Sequence, residues 1–75
     1  MDEELIYKKI GKQIKILREN AHLTQEKLAE KSGISLDYLG KIEVNINKPG
    51  LKTIIKISNA LNVPIKEIFN FSNSF

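Results

Sequence analysis

The sequence predicts an all-α fold of five short helices with a helix-turn-helix at its centre. Apolar residues recur at spacings of three and four along most of the chain, which is the period of a helix that faces a core. Turn and capping residues separate these periodic segments. The 75 residues include no cysteine, so a single domain at 1–75 must be stabilised by its apolar core rather than by disulfides. We expect that core at about residues 5–69 and a loosely held tail at 70–75.

The first helix is predicted between about Leu5 and Asn20, where apolar residues follow one another at spacings of four, four and three. Its basic residues fall on the other faces. Lysine is the common outward residue of small helical domains, so a solvated surface is the ordinary interpretation, with one or two members reaching phosphate. The apolar stripe is Ile6, Ile10, Ile14 and Leu17, and the basic residues are Lys8, Lys12, Lys15 and Arg18.

Residues 23–43, LTQEKLAEKSGISLDYLGKIE, predict two short amphipathic helices joined by a turn at Gly33. Thr24 and Ser35 each precede a periodic segment and can cap its first turn with a hydroxyl oxygen. The second helix should present the outer face of its N-terminal half to a partner. The core-facing positions are Leu23, Leu28, Ala29, Ile34, Leu39 and Ile42, and the outward positions are Gln25, Leu36, Asp37, Gly40 and Lys41.

Two more helices are predicted in the remainder of the chain. The fourth helix lies beyond Pro49, and the fifth begins after Pro64, which suits the first turn of a helix. The apolar stripes are Leu51, Ile54, Ile55, Ser58 and Leu61 in the fourth helix and Ile65, Ile68 and Phe69 in the fifth.

Composition narrows the classes of protein that fit. Lys and Arg number 12 against 9 Asp and Glu, and this net charge of +3 permits a polyanionic partner without requiring one. No apolar run approaches the roughly 20 residues that span a bilayer, and the acidic start MDEE is unlike a secretory signal. We therefore expect a cytoplasmic protein with no membrane partner.

Enzymatic chemistry has almost no support in the sequence. There is one histidine, His22, no cysteine, no glycine-rich phosphate loop and no pair of histidines at metal-binding spacing. Neither a metal centre nor a nucleophile with its base can be assembled from these residues. We predict that the protein is not an enzyme and uses no metal or other cofactor.

The segment 23–43 resembles the helix-turn-helix of the lambda-repressor-like (Xre/Cro) family of bacterial and phage transcription regulators. The family pattern is LTQ-x-x-LA-x-x-x-G-[IV]-S-x-x-[YT]-[IL]-x-x-[IL]-E. The resemblance extends over about residues 10–69, through the Leu17-Arg18 pair, Pro49, the Leu-Asn-Val sequence at 61–63 and Phe69. The residues that match the motif are Leu23, Thr24, Gln25, Leu28, Ala29, Gly33, Ile34, Ser35, Tyr38, Leu39, Ile42 and Glu43.

Two structural features follow from this resemblance. The family ties its first helix to the end of its third by an ion pair, which here would join Arg18 to Glu43. His22 stands where the family often has glycine, between the first two helices. Histidine tolerates a left-handed backbone better than most residues, so we interpret His22 as a turn residue.

The resemblance also implies a transcription regulator that binds double-stranded DNA, more often a repressor than an activator. The third helix enters the major groove, and the second lies across the sugar-phosphate backbone. Ser35, Leu36, Asp37 and Lys41 would then lie closest to base edges. The phosphate contacts would come from Thr24, Gln25, Tyr38, Asn45, Asn47 and Lys48.

Departures from the family pattern affect how DNA would be read. Leu36 replaces the Gln or Arg of many relatives, so it can pack on a thymine methyl but cannot hydrogen-bond to adenine. Asp37 can accept from a cytosine amino group, although the stabilisation of the helix dipole is the favoured interpretation. Gly40 weakens the helix by roughly 1 kcal/mol relative to Ala. Asn45 stands in the place of the usual glycine after the Ile-Glu pair, where it can adopt the same left-handed turn.

Assembly and partners are predicted by the same resemblance. A homodimer would bind a pseudo-palindromic operator, with RNA polymerase or a partner regulator as further partners. The dimer interface would comprise Ile65, Ile68, Phe69, Phe71 and Phe75, although the two last aromatic residues fit a fold-back on their own core equally well. The alternative function is a protein-interaction module that keeps the fold and docks partners on Leu36, Val44, Ile46, Phe71 and Phe75.

Overall fold

The computed structural model describes residues 2–71. It contains four α-helices, α1 (Glu3–Asn20), α2 (Gln25–Ser32), α3 (Leu36–Glu43) and α4 (Leu51–Leu61), followed by a 3-10 helix at Ile65–Phe69. The described residues form no β-strand. The predicted all-α fold is therefore confirmed, with two differences in detail: α1 is 18 residues long rather than short, and the fifth helix is a 3-10 helix.

Side-chain caps begin the first three helices. Asp2 accepts from the Glu4 N–H, Thr24 from the Lys27 N–H and Ser35 from the Tyr38 N–H, each at 3.0 Å. Each cap satisfies an N–H group that has no partner within its helix. The predicted helix starts at Thr24 and Ser35 are therefore confirmed.

Left-handed backbone conformations occur in the turns. Gly33, at φ 72°, ends α2, as predicted. His22, Asn45 and Asn62 have φ values of 60°, 63° and 58°. The turn interpretation of His22 and the left-handed turn at Asn45 are thus both found in the structure.

One apolar core joins all five elements. Several of its side chains are completely inaccessible, among them Leu28 and Leu39, which bring α2 and α3 together. Leu23 and Ile34 are partly buried against this core, so the predicted inner face of the helix-turn-helix is confirmed. The core residues are Ile10, Ile14, Leu28, Ala29, Leu39, Ile42, Ile54, Ile57, Leu61 and Ile68.

The predicted stripe of α4 is wrong at two positions. Leu51 and Ile55 are 62% and 42% exposed, whereas Ile57, which lies outside the predicted stripe, is fully buried. Each residue turns an α-helix by about 100°, so Ile55 lies well round the surface from Ile54 while Ile57 shares its face. Leu51 lies in the first turn, at the edge of the core.

Gly11 allows a close approach of α1 to the end of α3. It is buried in the middle of α1, and a Cβ atom at this position would overlap the carbonyl oxygen of Ile42. Glycine in a helix interior is destabilising by roughly 1 kcal/mol relative to alanine. Gly11 therefore lowers the helix propensity of α1, but it allows the backbone of α1 to contact the C-terminal end of α3 directly.

Candidate nucleic-acid interface

The outward edge of α3 combines an apolar side chain with an ion pair. Leu36 is 46% exposed, and the exposed Asp37 lies beside it. Asp37 Oδ2 is 3.0 Å from Lys41 Nζ, one helical turn further on. Exposed pairs of this kind stabilise by at most about 1 kcal/mol, so Lys41 can exchange Asp37 for another anion.

A buried network holds α3 from behind. Arg18 Nε donates to Glu43 Oε2 at 2.8 Å, and a terminal nitrogen of Arg18 donates to Oε1 at 3.1 Å. The other terminal nitrogen donates to the Leu23 carbonyl at 2.8 Å. The side chains of Arg18 and Glu43 are only 10% and 1% exposed. This network joins α1, the α1–α2 turn and the last residue of α3, and it contains the two residues that the resemblance paired.

The hydrogen bond to Glu43 raises the pKa of Arg18, outweighing the opposite effect of burial. A raised pKa favours the charged guanidinium, and arginine is protonated in proteins in any case.

Gln25 takes part in this network rather than pointing outward. Its Nε2 donates to Glu43 Oε1 at 2.9 Å. The Gln25 amide has two N–H donors and this hydrogen bond uses one of them, so the predicted phosphate clamp would rely on the other. At the start of α2, the Thr24 hydroxyl caps the Lys27 N–H, and the described residues offer no acceptor to the N–H groups of Gln25 and Glu26. These N–H groups remain suited to an anion.

The loop after α3 is held by an acidic residue of α1. Lys48 forms an ion pair with Glu4, and Lys48 Nζ lies 6.0 Å from the centre of the Tyr7 ring. The hydrogen bond to Lys48 lowers the pKa of Glu4, with a smaller contribution from Asn45, and the same bond raises the pKa of Lys48. One predicted phosphate contact, Lys48, is thus engaged by a carboxylate of its own chain.

The remaining residues assigned to DNA lie near this loop and α3. Tyr38 is half-buried and packs against the core, and Asn47 is half-buried in the loop. Val44 and Ile46 are 64% and 66% exposed, which is unusual for apolar side chains. The loop therefore presents an apolar surface beside the end of α3.

The predicted dimer residues do not form one surface. Ile65 and Phe69 are exposed, but Ile68 is fully buried in the core of its own chain. Ile68 cannot contact a partner, because the inner face of the 3-10 helix closes the core. Phe71 is partly buried and packs against the same core, as the fold-back alternative proposed. Phe75 lies outside the described residues.

Sequence reasoning missed one feature of this region. A shallow groove runs between α1 and the end of α3, and its lining residues are Lys8, Lys12, Lys15, Glu43, Val44 and Asn45. The spacing of the three lysines shows that they share a helix face. That this face borders the end of α3 depends on packing at Gly11, which no local pattern reveals.

Residues 2–71 contain neither a metal-binding cluster nor a membrane-spanning helix. No group of His, Cys, Asp and Glu side chains there is arranged to hold a metal ion. None of the helices in that range is long and apolar enough to cross a membrane.

Comparison with known proteins identifies the family. The helix-turn-helix family HTH_3 matches residues 14–68, most of the chain. The chain belongs to this family of transcriptional regulators. The expected Xre/Cro resemblance is confirmed, and with it the prediction that the protein is not an enzyme, because the family is a non-enzymatic one.

Relatives in the family include regulators from bacteria and a phage. An uncharacterized HTH-type transcriptional regulator of Mycobacterium tuberculosis is 37% identical over 59 residues, 79% of this chain and 42% of that protein. The immunity repressor protein of Bacillus phage phi105 is also 37% identical over 59 residues, 79% of this chain and 41% of the repressor. The HTH-type transcriptional regulator SinR of Bacillus licheniformis is 34% identical over 62 residues, 81% of this chain and 56% of SinR. The chain thus spans about two fifths of the first two relatives.

Solved structures show the same fold. The restriction-modification controller protein C.AhdI from Aeromonas hydrophila superposes with a TM-score of 0.82 at 33% identity, covering 84% of this chain and 96% of the controller. An HTH_3 family transcriptional regulator from Vibrio cholerae gives a TM-score of 0.87 at 28% identity, covering 91% of this chain and 38% of the regulator. The architecture of this regulator family therefore accounts for nearly all of the described residues.

Proposed function

We propose that this regulator binds DNA sequence-specifically and represses transcription, with α3 lying in the major groove. The outward edge of α3 supports this function because it is exposed while the opposite face is buried and clamped by Arg18 and Glu43. A major groove about 12 Å wide admits one α-helix. A rigidly held helix with a free edge is the arrangement that groove binding requires.

Base reading is proposed for Ser35, Leu36, Asp37 and Lys41. The exposed Leu36 side chain can pack on a thymine methyl, and Lys41 can donate to guanine once it leaves Asp37. Asp37 then either accepts a hydrogen bond from the cytosine amino group or only stabilises the helix dipole. The site should therefore combine apolar with polar recognition.

Phosphate contacts are proposed at two places that flank α3. The start of α2, at Thr24 and Gln25, offers backbone N–H groups to an anion. The second place is the region of Tyr38, Asn45, Asn47 and Lys48, where phosphate must compete with Glu4 for Lys48. Contacts of this kind position the protein but do not read sequence.

We propose that the repressor acts in the cytoplasm as a homodimer, which binds a pseudo-palindromic operator. Similarity to the immunity repressor of phage phi105 supports repression. Of the residues predicted for a two-fold interface, Ile65 and Phe69 are 37% and 42% exposed and so remain available to a partner. RNA polymerase or a partner regulator is a further proposed partner.

Lys41→Ala tests the reading edge. On a duplex enriched from a random pool, we expect this change to weaken binding and to reduce the preference over single-base variants by roughly 1–3 kcal/mol at one position. Fluorescence anisotropy against a panel of such variants measures both effects. Lys31→Ala is the control, since Lys31 is an exposed lysine at the far end of α2. Equal discrimination by the wild type and Lys41→Ala would remove Lys41 from the reading set.

Glu4→Gln tests the competition for Lys48. Removing this carboxylate frees Lys48 for phosphate, so we expect tighter binding and a slope of log K against log salt that is steeper by about 0.9. Glu3→Gln removes the same charge from the neighbouring residue while leaving the ion pair with Lys48 in place. Anisotropy titrations at several salt concentrations compare the two variants. If both give the same slope, Glu4 does not restrain Lys48.

A protein-interaction module is the second candidate, because the exposure of Val44 and Ile46 favours a docking surface. In that case Leu36 would extend the apolar surface rather than read a base. A duplex selection without any enriched sequence would favour this function.

A further inference from the structure

The groove beside α3 is lined on one side by a row of lysines from α1. Lys8, Lys12 and Lys15 follow one another at spacings of four and three, so they lie on one helix face. At 1.5 Å per residue the row is about 10 Å long. The opposite side of the groove is formed by Glu43, Val44 and Asn45, at the end of α3.

The charges of this groove are unbalanced. Lys41 and Lys48 each face a carboxylate, whereas none of the three lysines of the row forms an ion pair with any residue in 2–71. Glu43 is the acidic residue that lines the groove, but its side chain is 1% exposed and is bound by Arg18 and Gln25. The groove therefore presents positive charge that the fold does not neutralise.

We propose that the row Lys8, Lys12 and Lys15 is a second phosphate-binding surface, which holds the DNA backbone flanking the segment that α3 reads. This inference rests on the proposed DNA-binding function. The groove shares its wall with Val44 and Asn45, the residues that directly follow α3, so a duplex engaged by α3 continues alongside it. Each lysine of the row can neutralise one phosphate, so the row can make up to three contacts with the backbone.

The row has a measurable signature in the dependence of affinity on salt. Each phosphate that a lysine neutralises contributes about 0.9 to the slope of log K against log salt. Removing three contacts should lower that slope by about 2.7. Between 50 and 200 mM salt, the affinity of the variant would then change about 40-fold less than that of the wild type.

The test compares two triple variants of equal charge. Lys8→Gln, Lys12→Gln and Lys15→Gln together remove the row, while Lys31→Gln, Lys56→Gln and Lys66→Gln remove three exposed lysines from α2, α4 and the 3-10 helix. Glutamine keeps the helix propensity close to that of lysine. Circular dichroism and urea melts show that each variant is folded before its binding is measured. Salt titrations are run on a long duplex that contains the selected site with its flanks and on a short duplex that contains only the enriched base pairs.

On the long duplex, we expect the row variant to have a slope of log K against log salt that is smaller by about 2.7 than that of the wild type. On the short duplex the difference should be smaller. The control variant should keep the wild-type slope on both duplexes. Equal slopes for the two variants would refute phosphate binding by the row, but they would leave the proposed DNA-binding function intact. A wild-type protein without salt-dependent duplex binding would refute both the proposed function and the row.

Discussion

Replacing Glu43 by alanine is expected to lower the free energy of unfolding by about 3 kcal/mol, because it leaves the Arg18 guanidinium buried without its counter-charge. Three hydrogen bonds end at the two carboxylate oxygens, two from Arg18 and one from Gln25. Urea melts followed by circular dichroism measure the change. Small domains have a total stability of roughly 5–15 kcal/mol, so a loss of this size should lower the urea concentration at the unfolding midpoint substantially.

Arg18→Ala should have an effect similar to that of Glu43→Ala. Since the two side chains contact each other, the double variant should lose less than the sum of the single variants. Glu30→Ala is the control, because the Glu30 side chain is 73% exposed and, within residues 2–71, pairs with Lys27 alone. Its stability should stay within about 0.5 kcal/mol of the wild type. A melt of Glu43→Ala that coincides with the wild type would refute the clamp on α3.

Gly11→Ala is expected to destabilise the protein by about 2 kcal/mol, although alanine is the better helix former. A Cβ at this position would overlap the carbonyl oxygen of Ile42, a backbone atom that cannot rotate away. Relief requires α1 to move from the end of α3, which loosens contacts of the buried Ile10 and Ile14. Thermal or urea unfolding measures the loss.

Gly40→Ala is the matched control, since it makes the same change inside α3. A Cβ there would lie 3.9 Å from Gln25 Oε1, an ordinary contact distance. We expect this variant to gain about 1 kcal/mol from helix propensity alone. Two helix-interior glycines should thus respond with opposite signs. A gain of stability in both variants would show that α1 and α3 are not in close contact at Gly11.

Local sequence patterns predicted much of this fold. The caps at Thr24 and Ser35, the turn at Gly33 and the inner face of the helix-turn-helix all depend on residues within one or two turns of each other. Family resemblance added the pairing of Arg18 with Glu43, which are 25 residues apart in sequence. Periodicity failed in α4, where Ile55 and Ile57 are equally apolar and only the packed neighbours decide which is buried.

The remaining features depend on contacts between elements. The importance of Gly11 could not be predicted from the sequence, because the glycine leaves room for the Ile42 carbonyl of another helix. Gln25 has an ordinary position at the start of α2, yet its amide turns inward because Glu43 lies within reach. The sequence alone predicts an interface at Ile68, because an apolar residue in a short terminal helix fits either a core or a partner. Only the packed structure distinguishes these cases.

The central claim is that the outward edge of α3 distinguishes one duplex sequence from another. Its most direct test is selection of duplexes from a random pool by the wild-type protein, followed by sequencing of the bound fraction. We predict enrichment of two half-sites related by two-fold symmetry, with centres about 34 Å apart, as expected for paired recognition helices in successive major grooves. A bound fraction with the same sequence distribution as the starting pool would contradict the claim.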